Sequence, residues 1–99
     1  MGATKSPGAV RTEAEAVGTF KAEECSGPRF WSNGPNDTYG WHTHSYHKVL
    51  FCLDGSITFH TNEGDTLLEA GDRLDIDPGT DHAATVGARG CSCVEATRG

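Results

Sequence analysis

The chain has no basic patch. Eight lysines and arginines face fourteen aspartates and glutamates, a net charge of -6 over 99 residues. A phosphate backbone attracts clustered cations, so nucleic acid is excluded as a partner. No apolar run approaches the length of a membrane-spanning helix, so no membrane partner is expected. The start lacks a charged-then-apolar signal segment. Without one, nothing points to an oxidising compartment, and the expected location is cytoplasmic. Met1-Gly2-Ala3-Thr4-Lys5-Ser6 fits a loose myristoylation pattern. That pattern is short and permissive, and the segment reads more simply as a leader. Four cysteines are present, but Cys91 and Cys93 have no second pair of the kind that marks a structural zinc site. On one strand their Cα atoms would lie roughly 6.5 Å apart with parallel side chains, which is poor bridging geometry. Cys25, Cys52, Cys91 and Cys93 therefore read as reduced thiols acting as small hydrophobes.

Glycine is abundant, at 13 residues, and the apolar runs are strand-sized. Together they favour a single all-β domain with many turns. Residues 1–11 are small and polar and read as a disordered leader. Residues 12–99 form the domain. Thr12-Glu13-Ala14-Glu15 fits a capping box, and Ala14, Val17 and Phe20 share one helical face. A short helix is expected after Thr12, ending near Gly27-Pro28. Beyond it the period shortens. Arg29–Ser32, Trp41–Ser45 and Lys48–Leu53 read as strands. Asp54-Gly55 reads as a tight hairpin turn into Ser56–His60. Further strands are expected at Thr66–Glu69, Arg73–Ile76, His82–Val86 and Cys91–Ala96, with Gly87–Gly90 as a turn. Short strands at this even spacing indicate a sandwich or barrel. Both faces of Lys48–Leu53 are apolar. One would fill the barrel, and the other needs cover, from a second chain in a homodimer or from the helix.

His42 and His44 are two apart, so on a strand both side chains point to one face. His82 follows a Pro-Gly turn, and a neighbouring strand can bring it to the pair. Histidine is the commonest metal ligand among side chains. These three residues are the parts of a three-histidine metal site. An all-imidazole site suits Zn, Fe, Ni or Cu rather than Mg or Ca, which prefer oxygen. Three protein ligands would leave positions open for water, oxygen or a chelating substrate. Trp41, Tyr46, Phe51 and Phe59 are candidates for a pocket wall or for core. His60, near a turn, is left out of the site.

These residues resemble the motifs of the cupin superfamily, small β-barrels or jelly rolls, over about residues 29–96. His42-Thr43-His44 stands where the first cupin motif (about residues 40–55 here) has its His-x-His, and Gly55 where it has its closing glycine. Gly71, Pro78, Gly79 and His82 follow the second (about residues 71–86), with the proline displaced by one position. The resemblance implies an all-β jelly roll with a short N-terminal helix and a divalent transition metal. It does not fix an activity, because cupins include oxygenases, isomerases, lyases and ligand-sensing domains. One departure matters. Where the first motif has a carboxylate ligand, this chain has Lys48. Protonated lysine cannot coordinate a cation and would repel one. Three accounts follow. The metal is held by His42, His44 and His82, with Lys48 turned aside or meeting an anionic ligand. Or a bulge brings in His47 as a fourth ligand. Or the barrel holds no metal, and Lys48 with neutral histidines binds an acid without catalysis. The first is favoured, with a small molecule, an acid among the candidates, as substrate or ligand. Lys48 is the candidate catalytic group, since a lysine in an apolar barrel can have a lowered pKa.

Overall fold

The structure, a computed structural model, describes residues 2–99; Met1, the first residue of the expected leader, lies outside the described residues. The elements run β1 (Ala3–Pro7), α1 (Glu13–Ala22), β2 (Cys25–Asn33), β3 (Thr38–His42), β4 (His47–Thr61), β5 (Gly64–Glu69), β6 (Asp72–Ile76) and β7 (His82–Arg98). All pairings are antiparallel. The seven-stranded sheet has the order β1-β6-β4-β7-β2, with β3 added to β7 and β5 to β4. This is the expected all-β jelly roll with one short N-terminal helix.

Two long strands, β4 and β7, form the spine and bend together. The first half of β4 pairs with the second half of β7, from His47 opposite Arg98 to Gly55 opposite Cys91. The second half of β4 pairs with the first half of β7, from Ile57 opposite Val86 to His60 opposite Ala83. Register shifts flank the bend, between Cys52 and Asp54 and between Gly55 and Ile57. Asp54-Gly55 is therefore a bulge inside one strand, not the expected hairpin turn, and Gly87–Gly90 is likewise part of β7. The residue chemistry serves both purposes, because a glycine-type bulge and a two-residue hairpin turn each place a residue at positive φ. Gly55 has φ +70°, and a Cβ placed there would lie 2.0 Å from the Gly90 carbonyl oxygen. Only glycine fits where the two bent backbones touch.

Period-two alternation divides the side chains between two cores. Leu50, Cys52, Ile57, Phe59, Leu74, Ile76, Cys91 and Cys93 fill the barrel interior. Val49, Phe51, Val94 and Ala96 point outward and are covered by Ala16 and Phe20 of α1. Phe20 meets Phe51 with ring centroids 5.6 Å apart. The helix covers the outer apolar face of β4. All four cysteines are free thiols, and Cys52, Cys91 and Cys93 are buried as apolar residues.

Two local expectations are corrected. The leader is not disordered throughout, since Ala3–Pro7 pairs in register with Ile76–Asp72 of β6. A polar segment can complete a sheet edge through backbone bonds alone, which leaves no apolar pattern to read. The helix also ends sooner than Gly27-Pro28. Thr12 caps its start as expected, accepting the Glu15 N–H at 3.1 Å. Its end is at Ala22, and Gly27 and Pro28 lie within β2. The pairing of β2 with β7 shifts register between Ser26 and Arg29. Pro28 thus sits where no ladder bond is required of it.

Candidate metal centre

His42 ends β3 and stands opposite His82, the first residue of β7. His44 lies just beyond β3, not on a strand as expected. Its backbone is tied instead to the Asp77-Pro78-Gly79 turn, where the Gly79 N–H donates to the His44 carbonyl at 2.8 Å. The turn that launches β7 therefore also holds the loop carrying His44. Ring centroids are 4.2 Å apart for His42–His82, 4.9 Å for His42–His44 and 5.2 Å for His44–His82. One nitrogen from each ring lies within 4.8 Å of the other two.

For His42 and His82, hydrogen bonds show which nitrogen is left free. The Nδ1–H of His42 donates to the Gly40 carbonyl at 2.7 Å, and that of His82 to the Thr80 carbonyl at 2.9 Å. A neutral imidazole with a donor at Nδ1 presents a lone pair at Nε2. The Nε2 atoms of His44 and His82 are buried with no hydrogen-bond partner. Buried polar atoms are rarely left so, and backbone carbonyls commonly orient the second nitrogen of a metal-bound histidine. Burial and then the Lys48 charge push the His44 pKa down. Burial also pushes the His82 pKa down, the Thr80 carbonyl only partly opposing it. Both favour the neutral, ligating form. The residues present fit a divalent transition metal.

The other candidates separate by parity. His47 faces outward with Val49 and Phe51. Its Nε2 meets Asp75 Oδ1 at 2.8 Å, and its Nδ1 lies 3.8 Å from Asp77. It does not join the histidine cluster, and no bulge precedes it to turn it inward. Lys48 does face inward. It lines a cavity of about 260 Å³ together with His42, His44 and His82. The same cavity is walled by Trp31, Tyr39, Tyr46 and Phe59. Of the aromatics singled out in the sequence, Phe51 belongs to the helix-side core and Trp41 is 60% exposed. His60 is held between Asp65 at 2.7 Å and the Thr85 hydroxyl at 2.9 Å, away from the cluster.

Glu95 was missed. It lines the cavity, with Oε2 3.3 Å from Lys48 Nζ, while its Oε1 accepts the Trp31 indole N–H at 2.8 Å. The alternation that buries Cys91 and Cys93 also carries Glu95 inward, and that signal was in the sequence.

A rolled antiparallel sheet with three histidines in one cavity defines a small β-barrel protein with a candidate metal centre. Residues 30–91 match the cupin domain family, and the chain belongs to it. Solved structures give the same fold. A cupin-2 domain protein from Shewanella frigidimarina aligns with TM-score 0.62 and 17% identity, over 70% of this chain and 66% of that one. An uncharacterised protein with a double-stranded β-helix domain from Klebsiella pneumoniae aligns with TM-score 0.64 and 24% identity, over 72% and 61%. A structure of the DMSP lyases RdDddP and RnDddQII aligns with TM-score 0.63 and 27% identity, over 73% and 36%. This chain thus spans under two thirds of the length of each. No curated protein matches it. No helix among the described residues is long and apolar enough to cross a membrane.

Proposed function

We propose that this protein binds a divalent transition metal through His42, His44 and His82 and uses it to bind or transform a small molecule in the adjoining cavity. The observation that carries the reading is the convergence of three imidazoles, two of whose buried Nε2 atoms have no other partner. When bound, such a metal supplies Lewis acidity and open positions for a ligand. The chain's own contribution is to fix the tautomers of His42 and His82 through Gly40 and Thr80, to wall the cavity with aromatic rings, and to hold a charged pair, Lys48–Glu95, beside the ligand. The similarity to DMSP lyases adds lyase chemistry to the reaction types to be assayed, beside oxygenase and isomerase. The metal-free reading, in which Lys48 and the histidines bind an acid unaided, leaves the two buried nitrogens unexplained.

Titration of metal-stripped protein with Zn(II), Ni(II) and Co(II) tests this. One ion per chain should bind, and His42→Ala/His44→Ala should abolish uptake. Absence of uptake by wild type, or equal uptake by the variant, would refute the three-histidine centre.

A further inference from the structure

We propose that the cavity takes a small carboxylate and that Lys48 grips its anionic end beside the metal. This rests on the three-histidine reading. Lys48 is 8% exposed. A buried ammonium is stable only when paired, and here Glu95 is its partner at 3.3 Å. The opposite oxygen of Glu95 is anchored by Trp31, so the carboxylate is fixed from both sides and aligns the ammonium. An ammonium has three donors. Among the described residues its ion-pair partner is Glu95. Donor capacity remains, in a cavity shared with the three histidines.

The charge of the lining points the same way. Arg29 stands opposite Glu95 in the β2–β7 register and lines the cavity with Lys48. Buried Lys48 and, at the exposed rim, Arg29 therefore stand against one carboxylate, and a divalent ion adds two more positive charges. A cationic ligand would be repelled, whereas an anion balances the site. Aromatic walls suit an acid with an apolar body. A phosphate is the poorer fit. Phosphate sites commonly draw on the N–H groups of a helix N-terminus, and α1 lies on the opposite side of the sheet, against Val49 and Phe51. The carboxylate would come from the ligand, in a cavity whose own carboxylate is already engaged by Trp31 and Lys48.

Cobalt(II)-loaded protein, titrated with benzoate and with benzamide, provides the test. The two probes share a shape and differ in charge. Benzoate should perturb the visible cobalt absorption and bind at least about 10-fold more tightly than benzamide. Lys48→Met should weaken benzoate by about 10- to 100-fold while cobalt uptake persists. Lys48→Met/Glu95→Gln, which strands no buried charge, should show the same loss and serves if the single variant does not fold. Equal binding of the two probes, or unchanged benzoate affinity in the folded variants, would overturn the carboxylate assignment while cobalt uptake stands. Failure of wild type to take up cobalt would instead overturn the metal reading and this proposal with it.

Discussion

At the scale of single residues, adjacent positions on β4 have opposite fates. Lys48 enters the cavity with Leu50, and His47 leaves it with Val49, because neighbouring strand residues point to opposite faces. This separates two residues that the sequence left in competition for one site. Lys48→Glu should raise metal affinity by about 10-fold or more, since it removes a positive charge from the cavity and adds a negative one. Competition against a chromophoric chelator measures it, and a fall in affinity would show that a carboxylate at this position does not act on the cluster. His47→Ala should leave metal affinity unchanged. It should cost about 1 kcal/mol of stability through the lost bond to Asp75, read by urea denaturation.

At the scale of elements, β4 and β7 bend together. Gly55 is the contact point, and Gly90, at φ +75°, faces the Asn33 carbonyl oxygen on its other side. Gly55→Ala should destabilise by about 2 kcal/mol or more, combining a positive-φ penalty with a backbone clash that no rotamer relieves. A change under about 0.5 kcal/mol in denaturant unfolding would mean that the bend is softer than drawn. The helix has a separate task. Phe20 is 1% exposed against Phe51, so Phe20→Ala should cost about 3–5 kcal/mol. It should also uncover the outer face of β4, with light scattering reporting self-association. A monodisperse, fully stable variant would argue against α1 as the cover.

At the scale of the whole molecule, a charged network ties the helix to the sheet. Arg73 of β6 forks onto Asp75 and onto Glu23, the residue that caps α1, and Arg98 of β7 lies 3.6 Å from Glu23. The Arg73 guanidinium holds the Glu23 carboxyl below its ordinary pKa. For Asp75, burial pushes upward, but Arg73 and His47 together outweigh it and the net shift is down. A depressed carboxylate pKa stabilises the fold at pH values above the unfolded-state value, about 4. That contribution should be lost as pH falls through about 4 toward the folded values. Thermal unfolding across pH 3–7 should show the decline, and Arg73→Leu, less stable at neutral pH, should flatten it. A profile of equal slope in the two proteins would remove the network from the account.

Local chemistry determined a good deal of this protein. The cap at Thr12, the strand-sized runs and the closeness of His42 to His44 were legible because each depends on neighbours within a few residues, and His82 was legible from its place after the Pro-Gly turn. So was the exclusion of His60, and so was the alternation that sends Lys48 inward. What local chemistry left open was pairing. An Asp-Gly step reads the same in a hairpin turn and in a bulge, and only β7 lying alongside decided for the bulge. Residues 3–7 carry no apolar signature, and only the open edge of β6 made them a strand. The partner of Lys48 is 47 positions away in the chain, and alternation alone could not say that β7 would bring Glu95 beside it. Side-chain period is a property of a segment, whereas register between segments is set by the packing of the whole barrel. The three histidines could therefore be named from the sequence, while the charge that faces them was decided by the fold.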